Sequence, residues 1–497
     1  MRRRPALYLL SGLVAAAAIL PVAVLLVIGL GAEATVAGQA LEVLGNTVAL
    51  TGLTVIGAVV VGVPLAFLTA FADIPGRNLW TGLLTAPLAI PSYLGAFAYF
   101  AAFGPGGEIA DLTGLPSPNV QGLAGATLVM TLYTYPFVLL TTRAALRNLD
   151  AGTVDAARTL GMPLRQALLQ VVLPRVKTSV AAGGLLVALY TLSDFGTPAI
   201  MRFDTFTRVI FVEYNAFGTD RAALLSLYLL ALVGLVLYLE SRFRPQQETP
   251  GRPLRLHLGR GKKAAALTGA GLVAAAALAL PVGIFGLWLA REGMGTFPVI
   301  TVWNSAYSSL LAAGVAMLAA LPVAYAASLG RMGKTLERAT YIGFGVPGIV
   351  LGTALVVVGL RADFLYQTLA LLIFAYVVRF LPLAVGSARD SLERTDASLV
   401  GAARSLGATP GEAFRRVTLP LALPGIMAGA ALVFLEAMRE LPATLLLRPT
   451  GFETLATHLW QVYEAGYFGR GAVPALLLVV VSGAAVMVTL RSERRGA

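Results

Sequence analysis

Polar and charged positions along this chain are confined to short intervals between long apolar runs, and the runs set the element lengths. A bilayer core of roughly 30 Å needs about 20 apolar residues in helical form. Runs that long occur at 7–30, 47–71, 79–103, 121–142, 174–200 and 221–240, and again at 264–290, 304–329, 338–360, 365–387, 419–438 and 471–490. The pattern predicts an all-α polytopic membrane protein with about twelve transmembrane helices. The first run follows Arg2, Arg3 and Arg4 and precedes Ala32-Glu33-Ala34, which has the look of a signal-peptide cleavage site. It is longer than the apolar core of a signal peptide, about 7–15 residues, so an uncleaved first span is expected.

Composition sharpens this reading. Of 497 residues, 57% are hydrophobic and 12% charged, against roughly 25% charged in soluble domains. A soluble enzyme and a disordered chain are both excluded. The absence of Cys rules out disulfides, thiol nucleophiles and thiolate metal sites, and two His leave little for an imidazole site. The 53 Gly and 27 Pro are tolerable in membrane helices, where neighbours re-satisfy freed backbone groups. The net charge of +12 suits either nucleic acid or cationic inner loops, and the placement of the charges decides. With a cytoplasmic N-terminus and alternating spans, 28 of the 37 Lys and Arg fall on the inner side, 8 outside and one, Arg379, within a span. The outer set is Arg202, Arg208, Arg221, Arg291, Arg361, Arg439, Arg448 and Arg470. This is the positive-inside bias of a membrane protein with both termini cytoplasmic, and it argues against a nucleic-acid partner.

The chain also repeats itself. Asp150-Ala-Gly-Thr-Val-Asp-Ala-Ala-Arg-Thr-Leu-Gly161 matches Asp396-Ala-Ser-Leu-Val-Gly-Ala-Ala-Arg-Ser-Leu-Gly407 at an offset of 246 residues, and Pro136, Arg143 and Pro174 match Pro382, Arg389 and Pro420 at the same offset. Asn46, Thr47 and Pro64 match Asn304, Ser305 and Pro322 at an offset of 258. Two parallel six-span repeats are expected, residues 1–240 and 264–497, joined by a polar, basic linker at 241–263. Each repeat carries a loop after its fourth span, 150–174 and 396–420. In the first, Asp155, Ala156 and Ala157 begin a short helix that Gly161 can end, and a second helix from Pro163 to Val172 leads to Pro174. The small residues allow close backbone approach by another protein, and Arg158, Arg165, Arg404, Arg415 and Arg416 can pair with its acids.

This repeated stretch resembles the cytoplasmic Glu-Ala-Ala loop of ABC importer permeases, whose pattern continues with three residues, Gly, and a dozen or so residues to Leu-Pro. Asp155, Ala156, Ala157, Gly161, Leu173 and Pro174 fit it, with Asp for Glu. Ala402, Ala403, Gly407, Leu419 and Pro420 fit it in the second copy, where Gly401 replaces the acid and puts one charged contact in doubt. The stretch from Arg439 to Thr457 and its counterpart from Ser193 to Ala199 are similar to those of ferric-iron importer permeases. The resemblance covers nearly the whole chain. It implies a type I importer permease in a bacterial cytoplasmic (inner) membrane, surrounded by lipid. It also implies two ATP-binding cassette subunits seated on the cytoplasmic loops and an extracytoplasmic binding protein that delivers ferric iron. Fused thiamine permeases, and unfused polyamine or sulfate permeases, share the loop. An ion-gradient-driven secondary transporter is a rival class, since parallel repeats occur there too, but it needs no matched docking loops.

The chain is not expected to be an enzyme or to bind a cofactor itself, ATP and Mg belonging to the partner subunits. Gly333-Lys334-Thr335 imitates the tail of a P-loop, but Ser328 stands where its first Gly should be, and an apolar helix precedes it. No catalytic group and no stable metal site are expected. Acids in membrane spans are costly and are functional candidates by default. Asp194 and Glu440 hold equivalent places late in the fifth span of each repeat, with Glu436 one turn before Glu440, so the three are candidates for a substrate path. Carboxylates suit hard ferric iron. The alternative is structural: Glu440 pairing with Arg379 or capping a broken helix before Pro442, and Asp194 capping the Phe-Gly-Thr-Pro break. Tyr133 and Tyr135 read as helix packing, His458 as an outer-loop residue and His257 as part of the linker. No aromatic cluster stands out in the spans.

Overall fold

The computed structural model describes residues 5–31, 37–114, 116, 118–243, 252, 254–295 and 297–495. Arg2, Arg3, Arg4, Ala32-Glu33-Ala34, Arg244 and most of the early linker lie outside the described residues. Among the described residues the chain is predominantly helical, and an isolated parallel bridge pairs Ala72 with Leu256.

Nine of the described helices are long and apolar enough to cross a bilayer, and a bent pair, Arg77–Ala89 with Ser92–Thr113, brings the number to ten. The expectation of about twelve spans is corrected at the third, ninth and last runs. The third run turns through 90° at its break. The ninth is divided into Arg331–Thr340, Ile342–Gly345 and Gly348–Arg361. The physical reason is shared. Pro91 and Pro347 push the residue before them out of the helical region: Ile90 is extended at φ −86 and ψ 125, and Val346 at φ −80 and ψ 119. The fifth run is corrected too, since the Leu173–Ser193 helix stops at Asp194 and resumes as Gly196–Ile200. The last run begins a helix, Ala472–Arg495, but the apolar stretch Phe468–Ala484, like Gly348–Arg361, falls short of a span among the described residues.

Three helices form the centre of each repeat. Ala37–Phe71 packs on Gly122–Asn148 and Leu173–Ser193, and Ile300–Leu329 packs in the same way on Leu369–Glu393 and Leu419–Met438. Small residues allow the close approach that drives association in lipid. At Gly62 a Cβ would lie 2.9 Å from the Tyr135 carbonyl oxygen and 3.0 Å from Val138 Cβ.

The repeats interlock through their first spans. Pro5–Gly31 packs on Ile300–Leu329 and Arg331–Thr340 of the second repeat, while Leu280–Glu292 packs on Ser92–Phe103 of the first. A π-helical turn, Ala275–Ala279, interrupts the seventh span. Such a turn leaves carbonyls without their regular partner. Tyr99 and Tyr133 of the first repeat donate to the carbonyls of Ala276 and Ala277, each at 3.0 Å. At the far end of the same span, Trp288 Nε1 and Arg291 donate to the Glu108 carboxylate, each at 2.6 Å.

The contact at Gly62 leaves no room for a side chain. Gly62→Val should force the two helices apart and destabilise the permease by about 1–3 kcal/mol, read as a lower thermal midpoint in detergent. An unchanged midpoint would contradict this account of the helix crossing.

Candidate functional site

The two repeated loops fold alike. Ala151–Thr159 begins at the cap Asp150, whose carboxylate accepts from Gly152 N at 3.2 Å, and Ala397–Ser405 begins at Asp396, which accepts from Ser398 N at 2.8 Å. Both helices end on a left-handed glycine, Gly161 at φ +87 and Gly407 at φ +92, a conformation that costs other residues steric energy. Leu164–Ala167 and Pro410–Ala413 follow, and each continues through a π-turn, Leu168–Val172 or Phe414–Thr418, into the fifth or eleventh span. Pro174 and Pro420 lie in the first turn of the helices after these π-turns, and both are exposed.

Ala156, Arg158, Ala402 and Arg404 are exposed, Ala403 is half-buried and Ala157 is buried. Leu160 and Leu406, equivalent residues, project as apolar tips that are 88% and 89% exposed. The loops differ in one respect. Asp155 is paired with Arg252 of the linker, whereas Gly401 faces open space. In the second loop, the amide of Ser398 holds the Asp396 carboxyl below its ordinary range, and Thr409 does the same for Glu412. Both are depressed acids, so these caps hold at neutral pH and are lost as pH falls through the lowered values.

The substrate-path candidates meet elsewhere, at a cavity of about 120 Å³ between the repeats. Four helix breaks converge there. Ser92 and Gly348 open the second halves of the third and ninth spans, and Gly196–Ile200 and Pro442–Leu447 follow the breaks after the fifth and eleventh. Asp194 Oδ1 accepts from Ser92 Oγ at 2.7 Å, and Oδ2 accepts from Thr197 N at 3.0 Å. Its own carbonyl accepts from Thr207 Oγ1 at 2.8 Å. Glu440 repeats the capping role, accepting from Ala443 N at 3.1 Å, and its other carboxylate oxygen is 3.1 Å from Arg379 Nε. Glu436 is paired with Arg439. Arg439 also donates to the carbonyl of Ala89 at 3.2 Å, while Tyr93 donates to the Arg439 carbonyl at 3.4 Å, so these groups tie the repeats together.

The cavity is therefore symmetric in its backbone and asymmetric in its charges. At the 246-residue offset, Asp194 answers to Glu440, but Tyr190 to Glu436, Ser193 to Arg439 and Tyr133 to Arg379. Gly348 makes the second-repeat arrangement possible. A Cβ there would lie 2.5 Å from Glu440 Oε1 and 2.7 Å from Arg379 Nη1. Sequence reasoning placed Arg439 on the outer face, whereas the structure puts it in this cavity. It also passed over Ser92, Tyr93 and Tyr190, although aligning the repeats at 246 residues would have set Tyr190 against Glu436.

Other expectations fall as follows. Tyr133 donates to Ala277 as above, and Tyr135 donates to the Leu84 carbonyl at 2.8 Å, both packing roles. His458 lies on the Leu455–Glu464 helix, with Nδ1 3.2 Å from Glu453 Oε2. His257 is an exposed linker residue. Gly333 sits in the Arg331–Thr340 helix against the backbone of Ala326, which is not a phosphate-binding loop. The expectation of no aromatic cluster is overturned. Phe97 meets Trp288 at 5.5 Å, Phe468 at 5.7 Å and Tyr463 at 5.8 Å, and Phe195 meets Trp460 at 5.1 Å. The rings come from segments far apart in sequence, so the chain order hides them.

Paired repeats, a matched loop in each, and broken helices around a charged cavity define the permease subunit of an ABC importer. The chain belongs to the family of binding-protein-dependent transport system inner membrane components, whose model matches residues 58–241 and 320–493. This is a family of multi-pass inner-membrane proteins that work with an ATPase and a binding protein. The chain is 31% identical to the Fe(3+)-transport system permease protein FbpB 2 of Haemophilus influenzae, over 90% of this chain and 89% of the relative. It is 23% identical to the ferric transport system permease protein FbpB of Actinobacillus pleuropneumoniae, over 90% and 71% respectively. One probable molybdenum ABC transporter permease protein, from Haloferax volcanii, is 29% identical over 39% of this chain and 71% of its own length.

Glu440 is buried, at 6% exposed, and its partner Arg379 is half-buried. Removing one partner leaves an uncompensated charge and costs about 3–5 kcal/mol. Arg379→Ala should therefore lower the thermal midpoint far more than the neutral pair Arg379→Met with Glu440→Gln. Equal losses from the two would show that the pairing is not what holds this region.

Proposed function

We propose that this permease moves ferric iron, received from an extracytoplasmic binding protein, through the cavity that Asp194, Glu436 and Glu440 line. The observation that carries the proposal is the meeting of these three carboxylates at four helix breaks between the repeats. The names of the two full-length ferric relatives support the same substrate. Each carboxylate is engaged in the closed arrangement: Asp194 by Ser92 and Thr197, Glu440 by Arg379 and Ala443, Glu436 by Arg439. A passing cation needs them released, and releasing them loosens the contacts of Tyr93 and Arg439 that join the repeats. Iron passage and repeat separation are thereby one event. Binding at the path must stay weak enough for release into the cell.

The driving energy comes from outside the chain. In this reading two ATP-binding subunits, holding ATP and Mg, seat on loops 150–174 and 396–420 from the cytoplasm, where both termini of the permease also lie. Leu160 and Leu406 supply apolar contacts, and Arg158 and Arg404 pair with acids of the partner. ATP binding draws the loops together and opens the path outward, and hydrolysis resets it. Only contacts that differ between the two states can shift the equilibrium.

Two experiments test these assignments. In proteoliposomes carrying the whole importer, Asp194→Asn with Glu440→Gln should cut iron uptake at least tenfold while the complex still assembles; undiminished uptake rules out the path. Replacing Gly161 and Gly407 by Val should uncouple the two activities, leaving ATP hydrolysis with little uptake. Normal uptake in that double variant would remove the loops from the coupling role.

A second reading is favoured by the two guanidinium groups in the cavity. Arg379 and Arg439 beside helix N-termini suit an oxyanion, and one half-length relative is named for molybdenum. Molybdate uptake exceeding iron uptake in the same vesicles would select it.

A further inference from the structure

Near the end of the fourth span the repeats differ in a way that neither the path nor the ATPase loops use. In the second repeat, Arg389 is fully matched by acids. Its Nη1 donates to both carboxylate oxygens of Glu337, at 2.9 and 3.0 Å, and its Nε donates to Glu393 at 2.8 Å. The counterpart of Arg389 at the 246-residue offset is Arg143, and the counterpart of Glu393 is Arg147. The helix Arg77–Thr85, which stands where Arg331–Thr340 stands in the second repeat, has no Asp or Glu. Arg143 is thus opposed by the like charges of Arg147 and Arg77. Its Nε is buried and has no hydrogen-bond partner among the described residues.

Arg77 also lines an open recess of about 500 Å³, together with Arg255 and His257 of the linker. The one acid there, Asp73, is taken by Lys263 at 3.6 Å. Leu79 lines the recess and is 75% exposed, and Leu83, one turn on along the same helix, is 39% exposed.

We propose that this recess binds the phosphate headgroup of an anionic phospholipid, with the acyl chains lying along Leu79 and Leu83. A recess lined by Arg77 and Arg255, whose one acid is already paired, beside the half-buried Arg143 with its unpartnered Nε and like-charged neighbours, suits an anion. The adjoining apolar wall at a span terminus selects an amphiphile over a free ion. Basic recesses between span ends are suited to such headgroups. The bound lipid also reaches the ATPase-docking face. The linker that lines the recess continues back to Arg252, which pairs with Asp155 and whose amide donates to Asp150 at 3.1 Å. Headgroup occupancy therefore holds the linker against the first repeated loop. The assignment to the cytoplasmic leaflet rests on the orientation proposed above, whereas the binding itself does not.

Native mass spectrometry of the full-length permease, titrated with phosphatidylglycerol or phosphatidylcholine, tests the site. Phosphatidylglycerol should bind at least tenfold more tightly. Arg77→Gln should weaken it roughly fivefold, the share of one surface cation. Arg147→Glu gives Arg143 the carboxylate its counterpart already has, and should weaken phosphatidylglycerol binding further without lowering the thermal midpoint. Equal affinity for the two lipids overturns the proposal, as does unchanged phosphatidylglycerol binding in both variants. Displacement of phosphatidylglycerol by millimolar inorganic phosphate would make free phosphate the ligand and equally overturn it. None of these readouts depends on iron, so a failed uptake experiment leaves them intact.

Discussion

A helix broken inside a membrane must have its freed backbone groups satisfied by protein, because the hydrocarbon offers no partner. The centre of this permease is arranged around that constraint. Asp194 and Glu440 each accept from the amide three residues on, Thr197 or Ala443, and so restart a helix within the bilayer region. Once committed as caps, the two acids need further compensation, which Ser92 gives to one and Arg379 to the other. The acids that make the broken fold tolerable are then the same ones that face the cavity. Under the proposed function, the structural and transport roles of these residues are not alternatives, since loosening the cap is what would expose the charge.

The two repeats use one backbone plan for different electrostatic ends. Gly348 clears space for an ion pair, while Ser92 at the corresponding place provides a hydroxyl. Arg389 is paired with acids while Arg143 has the like charges of Arg147 and Arg77 nearby. Asp155 is held by the linker while Gly401 has nothing to hold. Fusion of the repeats in one chain allows such divergence, because each position needs to serve only one side. The crossing of the first and seventh spans onto the opposite repeat means that neither copy has a complete surface of its own.

Much of this was legible in the chain. Span positions, the repeat and both loop glycines follow from apolar run length, an offset and the left-handed turn that ends a helix. The breaks at Pro91 and Pro347 were not, because a proline within an apolar run reads alike whether the helix continues past it, as at Pro64 and Pro136, or stops. Arg439 was misplaced for a related reason: it follows the apolar run, and run length cannot tell an outer loop from a re-entrant segment. The aromatic core was hidden because its rings come from separate helices, and periodicity within one segment carries no information about pairing between segments.

The connection between loop and cavity is mechanical and short. Leu164–Ser193 and Pro410–Met438 are apolar spans of 30 and 29 residues that begin in the repeated loops and end beside Asp194 and Glu440. At 1.5 Å per residue each is a rod of roughly 45 Å, long enough to carry a displacement from one membrane face to the central acids without passing through a chain of side chains. The π-turns at Leu168–Val172 and Phe414–Thr418 lie at the base of each rod, where a weakened helical ladder concentrates bending. Motion imposed on the loops is thus split between flexure at the base and rigid tilt above it. In the proposed cycle, tilt of the two rods acts on the two caps that close the path.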